Sequence, residues 1–288
     1  MPFWKMAGAG NDFLIFDNRG GSIADPARLA AAICTRRLSV GGDGLILIEP
    51  SLASDFRMAY FNADGSRGEF CANGTRCAAR FALLNGIAAE QEMIIETDAG
   101  RVPARVEDGL VTLSLPGPER IVQSKRIDLG GKPVTGMYMW VGVPHFVVVS
   151  SSSVGAIDVE SSGREIRHHP DLAPEGANVN FVRVLSREAI EVRTYERGVE
   201  AETLSCGSGV VASVSACAMT GSVDSPVSVL TRSGIRLIVT VDWLDGGIRG
   251  LTLSGDARVI FKGVVTPETT GGYDPDRAHN PTSGGARP

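Results

Sequence analysis

Two stretches decide how this chain folds: CANGTRC at residues 71–77 and CGSGVV at residues 206–211. In both, a cysteine is followed by small residues and glycine, then by about three turns of Ala-rich, apolar sequence at helical spacing. Each stretch ends at a glycine, Gly86 or Gly221, that lies 15 residues after its cysteine, where a helix C-cap is expected. The pattern predicts a loop that turns into a helix in both places, with the cysteine on the first turn.

Cysteines at helix starts are candidates for chemistry. The free N–H groups there favour negative charge and can lower a thiol pKa to roughly 3.5–7.5. Cys71 and Cys206 are therefore candidate thiolates. A lone cysteine is more often a small buried apolar residue. Here, however, a cysteine occurs twice at the start of the same loop-to-helix pattern, which favours a reactive role. Cys34 and Cys77 fall within predicted helices and are assigned to packing.

The match between the two copies extends beyond the helices. Strand-like segments and turns follow in the same order over about 65 residues on each side. Gly100 and Gly234, in the turns that follow, lie 29 and 28 residues after their cysteines, while Phe61 and Tyr195 precede them by 10 and 11. This predicts an α+β fold of two pseudo-symmetric domains, each a mostly antiparallel sheet or barrel around a long central helix, with the active site between them.

A Pro-Gly-Pro boundary at residues 116–118 separates the halves. The predicted domains are residues 1–117, joined by the last strand at about 255–265, and residues 118–254. Residues 266–288 hold one aromatic residue among Gly, Pro, Thr, Ser, Asp and Arg, so they are predicted to form a disordered tail.

A second, weaker sequence similarity also relates the halves. Asn178 precedes Phe181 much as Asn11 precedes Phe13, although the offset differs by one residue. We expect these two asparagines to occupy corresponding places.

Composition excludes several classes of function. With 28 Lys and Arg against 33 Asp and Glu, the net charge is −5, and no basic run suits nucleic acid. No apolar run approaches the roughly 20 residues of a membrane span. Five cysteines, an odd number, and no signal-like N-terminus disfavour secretion and a disulfide framework. We expect a cytoplasmic protein that binds a small molecule and neither nucleic acid nor a membrane.

Two cysteines that face one ligand suggest stereochemical inversion. A carboxylate held by the N–H groups of both helix starts places its neighbouring carbon between two sulfurs. One thiolate removes the Cα proton as general base, and the opposite thiol returns a proton from the far face. The same N–H dipoles stabilise the enediolate. Neither a cofactor nor a metal is required.

Other cysteine chemistries fit less well. No C-x-x-C motif supports a thiol oxidoreductase. The four histidines lack zinc-ligand spacing, and none of the four lysines lies in a setting for pyridoxal phosphate (PLP). A Cys–His acyl-transfer enzyme that uses Cys71 or Cys206 with His145 stays open, although it leaves one cysteine without a role.

Long motifs give the chain a resemblance to the diaminopimelate epimerase family, the cofactor-independent, two-base amino-acid epimerases of bacterial lysine and cell-wall biosynthesis. The resemblance covers residues 1 to about 265. It implies two α+β domains that close over the substrate, isomerase activity, no cofactor, and a homodimer as one option. The motifs are KM at 5–6, GNDF at 10–13, GDGL at 42–45, FNADGS at 61–66, CANGTRC at 71–77, PH at 144–145, ANV at 177–179, YERG at 195–198 and CGSG at 206–209.

The same resemblance implies a role for each matching residue. Cys71 and Cys206 are the base and acid, and they exchange roles with the direction of the reaction. The other residues bind substrate or tune the thiols: the backbone amides of Ala72, Asn73, Gly207 and Ser208 at the reacting carboxylate, Glu196 and His145 at the amino group beside it, Asn62, Asn178 and Arg197 at the distal amino-acid end, and Asn11 as a further contact.

Four positions depart from the family pattern. Ala72 replaces the usual glycine, Gly44 replaces a glutamine of some members, and Ala7 replaces a histidine of many members. Val143 precedes Pro144 where many members have asparagine, which removes a polar group from the distal end. The leading hypothesis is epimerisation of LL-diaminopimelate to the meso form. A racemase or epimerase of another amino acid, and a non-catalytic amino-acid binding protein, are the alternatives.

Overall fold

Both halves of the chain carry the same order of elements in the computed structural model, which describes residues 1–270. The elements of the first half are β1 (Pro2–Gly8), β2 (Asn11–Asp17), α1 (Pro26–Ile33), β3 (Gly44–Glu49), β4 (Phe56–Asn62), β5 (Arg67–Gly68), α2 (Ala72–Leu84), β6 (Glu92–Thr97), β7 (Gly100–Glu107) and β8 (Leu110–Pro116). The elements that follow are β9 (Glu119–Leu129), β10 (Lys132–Val141), β11 (Val143–Val149), α3 (Val159–Arg167), β12 (Asn178–Ser186), β13 (Ala189–Glu196), β14 (Ala201–Thr203), α4 (Gly207–Met219), β15 (Val227–Leu230), β16 (Arg236–Leu244), β17 (Gly247–Asp256), β18 (Arg258–Val264) and α5 (Pro267–Thr270).

Strand pairing repeats between the halves. β2 runs parallel to β3 and β4 to β6, and the second half repeats this with β11 and β12 and with β13 and β15. β18 pairs with β1 as β9 pairs with β10. The halves join where β8 lies antiparallel to β17, with Leu113 opposite Leu253. The structure thus has the predicted duplicated α+β fold.

Each cysteine helix lies inside the strands of its own half. α2 contacts β1, β2, β3, β4, β6, β7 and β8, and α4 contacts β10 to β13, β16 and β17. All residues from Ala72 to Ala79 are buried, as are those from Gly209 to Cys217. Small side chains let the strands approach these helices on every side, and a helix surrounded in this way needs no polar face.

Other local predictions are confirmed. The Asp25 side chain caps α1 by accepting a bond from the N–H of Arg28, and Pro26 begins that helix. The apolar run at residues 45–48 is a fully buried strand. The helix α3 was not predicted, although the Asp158 side chain caps it through the N–H of Ser161 and could have marked it.

The expected correspondence between Asn11 and Asn178 is wrong. In the parallel pairs, Phe13 lies opposite Gly44 and His145 lies opposite Asn178. Asn178 therefore corresponds to Gly44, and Asn11, two residues before Phe13, corresponds to Val143. The two asparagines lie on non-corresponding strands, because Asn11 begins β2 whereas Asn178 begins β12, the counterpart of β3.

The domain boundaries remain a prediction. Of the predicted tail, residues 266–270 are described and include α5, where the carbonyl of Thr269 accepts a bond from the Ser39 hydroxyl. Residues 271–288 lie outside the described residues. Within residues 1–270, every helix is too short or too polar to cross a membrane.

Candidate active site

Both predicted cysteines are helix N-caps. Cys71 precedes α2 with φ −142° and ψ 106°, and Cys206 precedes α4 with φ −115° and ψ 111°. The first intrahelical bonds run from the N–H of Thr75 to the Cys71 carbonyl (2.8 Å) and from the N–H of Val210 to the Cys206 carbonyl (2.9 Å). The backbone N–H groups before these residues have no partner within the helix and are available to an anion.

The two helix starts touch. A Cβ atom placed on Gly207 would lie 2.7 Å from the Cβ of Ala72. The Asn73 side chain also reaches the second half, where its Nδ2 lies 3.5 Å from the carbonyl oxygen of Ser205. The halves therefore bring their cysteines to one place.

A cavity of about 450 Å³ lies at this meeting point, and we call it the central cavity. It contains most of the predicted site. The predicted residues that line it are Asn11, Asn62, Cys71, Ala72, Asn73, Glu196, Arg197, Cys206, Gly207 and Ser208, and Val143 lines it as well. A neighbouring cavity of about 750 Å³ shares Asn11, Asn62, Cys71, Glu196 and Arg197 with it. The shared residues place the two cavities side by side at Cys71.

His145 and Asn178 do not line the central cavity but lie behind its wall. The His145 ring is fully buried, its Nδ1 lies 3.1 Å from the Nδ2 donor of Asn180, and its Nε2 has no partner among the described residues. Burial, with a smaller effect of Arg197, lowers the His145 pKa to about 3, so the imidazole is neutral near pH 7. Asn178 accepts a bond from the N–H of Arg197 (2.7 Å) and so fixes that turn. Direct contact of these two side chains with substrate stays a prediction.

The thiol environment differs from the prediction. Burial raises the pKa of Cys71 to about 11, although the N–H groups of Gly74 and Asn73 lower it. Burial raises the Cys206 pKa further, and the Glu196 carboxylate adds to that rise. The predicted lowering of the thiol pKa values is therefore wrong for this structure, because removal from water outweighs the helix-start N–H groups.

Glu196 is itself perturbed. Burial raises the pKa of its carboxyl group, and the negative charge of Asp43 adds to the rise. This carboxyl group lies beside both cysteines in the cavity wall, and its charge raises the pKa of both thiols. Its position supports the predicted role beside the reacting centre.

A chain of side-chain amides positions the first helix start. Asn73 donates to the Oδ1 of Asn11 (2.7 Å), and Asn11 donates to the Oδ2 of Asp43 (3.0 Å). Asn11 therefore holds Asn73 in place while it lines the cavity. Its role is partly structural, which the sequence did not indicate.

Sequence reasoning missed Tyr60, which lines both cavities. Its ring packs edge-on against Phe13, with 6.1 Å between ring centroids. A Cβ atom on Gly44 or on Gly68 would come within 2.6 or 2.4 Å of the Tyr60 ring. The departure from glutamine at Gly44 was the available signal, because it leaves room for a large side chain on the neighbouring strand.

A family model described as diaminopimelate epimerase matches residues 3–114 and 137–250. The chain belongs to the diaminopimelate epimerase family. As a member of this family it is an isomerase, and the resemblance deduced from the motifs is confirmed.

Relatives in this family match over nearly the whole chain. A diaminopimelate epimerase of Aquifex aeolicus is 39% identical over 281 residues, which span 93% of this chain and 99% of the relative. One from Chlorobaculum tepidum is 38% identical over 264 residues, which span 91% of this chain and 100% of the relative. One from Archaeoglobus fulgidus is 36% identical, with 92% and 96% covered.

Solved structures with low sequence identity share the fold. A hydroxyproline epimerase from Agrobacterium vitis, with bound trans-4-hydroxy-L-proline, superposes with a TM-score of 0.67 at 17% identity, covering 94% of both chains. A phenazine biosynthesis protein of the PhzF family from Bacillus anthracis gives a TM-score of 0.69 at 15% identity, covering 92% of this chain and 99% of the other. The two-half architecture is thus common to proteins of different names.

Proposed function

We propose that the chain converts LL-2,6-diaminopimelate into meso-diaminopimelate by inverting one α-carbon, without PLP or another cofactor. The observation that carries this proposal is the pair of N-cap cysteines, one from each half, that line a single cavity. Family membership supports the substrate.

The substrate carboxylate binds between the two helix starts. The backbone N–H groups of Ala72, Asn73, Gly207 and Ser208 belong to the two first turns, and all four residues line the cavity. Contact between Ala72 and Gly207 keeps the two sets of donors close together. A carboxylate held there is neutralised by both helix ends.

Inversion then needs one proton on each side of the α-carbon. The thiolate of one cysteine takes the Cα proton, and the C–H electron pair moves into the carboxylate to form an enediolate. The thiol of the other cysteine donates its proton to the opposite face, so each turnover exchanges the protonation states of the two sulfurs. A thiolate with a raised pKa is a stronger base toward a weakly acidic C–H bond, which gives burial a catalytic purpose.

Side chains at the cavity wall select the amino acid. Glu196 lies beside both thiols and binds the amino group at the reacting centre. Asn62 and Arg197 bind the distal end, and Asn178 fixes the Arg197 turn. The neutral, buried His145 supports this wall.

Deuterium uptake at the α-carbon in D₂O tests the proposal. We expect exchange with LL- and meso-diaminopimelate and none with other amino acids of a panel. No exchange with LL-diaminopimelate overturns it. Faster exchange with another amino acid supports the second candidate, a racemase of different specificity, which the apolar Val143 in the cavity favours. Binding without any exchange indicates a non-catalytic binding protein.

Three further assignments belong to this proposal. The product serves lysine and peptidoglycan synthesis. The chain acts in the cytoplasm, which the five free cysteines of the structure support. A homodimer, one option that the family resemblance implies, is tested by light scattering coupled to size-exclusion chromatography.

A further inference from the structure

Arg76 is a buried cation that the proposed mechanism does not use. It lies five residues after Cys71 on α2, and its side chain is fully buried (0% exposed). Its Nη2 donates to the Oδ1 of Asn73 (2.8 Å), its Nε donates to the carbonyl of Asp256 (3.3 Å), and its Nη1 has no partner among residues 1–270. A Cβ atom on Gly255 would lie 3.0 Å from Nε, so glycine at that position makes room for the guanidinium.

Such a group is costly unless negative charge lies near it. Removing an ion from water costs several kcal/mol even after the protein relaxes. The two oxygens that Arg76 contacts are an amide and a carbonyl, and neither carries a net charge. Arginine stays protonated even though burial lowers its pKa. The groups whose charge interacts with that of Arg76 are Cys77, Asp256 and Cys71, and of these three Cys71 lines the central cavity.

The contacts of Arg76 lead to the reacting centre. Because its guanidinium binds the Asn73 oxygen, the amide nitrogen of Asn73 is turned toward Asn11 (2.7 Å) and Ser205 (3.5 Å). Asn73 lines the central cavity, and Ser205 precedes the second cysteine. Arg76 thus determines how the first helix start meets the second half.

At the matching helix position of the second half there is no cation. The residue five positions after Cys206 is Val211, which is fully buried. Asn62 lies opposite Gly44 in the first half. Because Gly44 corresponds to Asn178, the strand register places Glu196 in the second half where the first half has Asn62. At this helix position a cation follows Cys71 and an apolar residue follows Cys206. The second half places the Glu196 carboxylate where the first half has a neutral amide, with Arg197 next to it in the same cavity wall.

We propose that Arg76 is a positioning residue that favours the thiolate of Cys71 over that of Cys206 and holds Asn73 across the cleft. The catalytic part of this inference rests on the proposed function. Its electrostatic part agrees with the thiol environments: the Glu196 carboxylate raises the pKa of both thiols, Arg76 lowers that of Cys71, and the pKa of Cys206 is raised further.

Differential alkylation tests the electrostatic part without any substrate. Wild type, Arg76→Met and Arg76→Lys are treated with iodoacetamide at pH 8, and peptide mass spectrometry gives the rate at each cysteine. Loss of the nearby cation should reduce the Cys71-to-Cys206 rate ratio about tenfold in Arg76→Met. Arg76→Lys, which keeps the charge, should stay within about threefold of wild type.

A matched control lies one helical turn away. Arg80 donates to the carbonyl of Ala257 and does not line the central cavity, so Arg80→Met should leave the ratio unchanged. Methionine fills most of the arginine volume, and replacing a buried charge by an apolar group is often neutral for stability. If Arg76→Met does not fold by circular dichroism, Arg76→Gln replaces it. An unchanged ratio in a folded neutral variant, or equal losses in the lysine and neutral variants, overturns the assignment.

Turnover tests the catalytic part. Arg76→Met should lose on the order of 10–100-fold in kcat/KM, mostly in kcat, which is less than the loss of a direct donor to the enediolate. Arg80→Met should retain wild-type turnover, and unchanged kcat in Arg76→Met overturns this part. If wild type does not act on diaminopimelate, the proposed function fails while the alkylation ratio still decides the role of Arg76.

Discussion

The two helix starts share one backbone design but rest on different side chains. Under the first turn of α2 the contacts are apolar: a Cβ atom on Gly74 would lie 3.0 Å from Ile46 and 3.5 Å from Phe13. Under the first turn of α4 the contacts are polar. A Cβ atom on Gly209 would lie 2.3 Å from the Oδ1 of Asn180 and 3.2 Å from the Oγ1 of Thr194.

These contacts occupy corresponding positions. Ile46 lies opposite Tyr60 in the first half, and Asn180 lies opposite Thr194 in the second. The polar side chains of the second half form hydrogen bonds with one another: Thr194 donates to Asn180 (3.0 Å), and Asn180 donates to His145 (3.1 Å). In the first half the residues under the helix turn are apolar, and the polar contacts that position the turn come from Asn11 and Asp43.

The two halves therefore share the backbone geometry of the cysteine and its helix but differ in the side chains around them. Inversion at the α-carbon needs a sulfur on each face, and the duplicated cysteine and helix provide both. Inequivalent surroundings, with Arg76 five residues after Cys71 and Val211 at the matching position after Cys206, allow one sulfur to be the anion while the other keeps its proton. Each of the following predictions tests whether the halves are equivalent in geometry and unequal in charge.

The largest effect should come from removing either sulfur. Cys71→Ala and Cys206→Ala should each lower kcat for epimerisation by about 10³-fold or more, because each variant loses the proton carrier of one face. Cys217→Ala removes a buried thiol from the interior of α4, and its folded protein should keep wild-type kcat. Turnover by either active-site variant at the wild-type rate contradicts the two-base mechanism.

Contact between the helix starts should be sensitive to a single methyl group. Gly207→Ala places a Cβ atom 2.7 Å from the Ala72 Cβ and should lower the free energy of unfolding by about 1–3 kcal/mol. Adding Ala72→Gly should recover most of this loss, since the methyl group then comes from the other half. Urea denaturation of both variants measures this, and additive losses in the double variant contradict the contact.

The pH dependence should reveal the buried thiols. Because the base is a thiolate and burial raises the Cys71 pKa to about 11, kcat/KM should rise with pH through neutrality, by up to about tenfold per pH unit. Stability should change in the opposite direction. A thiol pKa raised on folding stabilises the protein below the unfolded value near 8.5, and this contribution is lost as pH rises toward 11. A flat kcat/KM profile between pH 6 and 9 contradicts the raised pKa.

Tyr60 should give the smallest effect. Tyr60→Phe keeps the ring between Gly44 and Gly68 but removes a hydroxyl from the cavity wall. Loss of one neutral hydrogen bond to substrate should lower kcat/KM about 3–10-fold. Tyr138→Phe is the matched control, since that hydroxyl accepts a bond from the Trp140 indole away from the central cavity. Equal kinetics in the two variants remove Tyr60 from the substrate contacts.

The local elements on which the site is built follow from the sequence. The N-cap cysteines, the helices after them, the Asp25 cap and the buried strand at residues 45–48 all follow from spacing, turn chemistry and hydrophobic period, which act between near neighbours. The duplicated order of elements and the family motifs were readable for the same reason.

The contacts that those elements make depend on the tertiary fold. Contact between Ala72 and Gly207, the place of His145 behind the wall, the match of Asn178 with Gly44 and the burial of Arg76 all depend on residues far apart in the chain. The thiol pKa values were mispredicted for this reason. Helix-start N–H groups are visible in the sequence, but the exclusion of water that outweighs them arises only when the two halves close around the sulfurs.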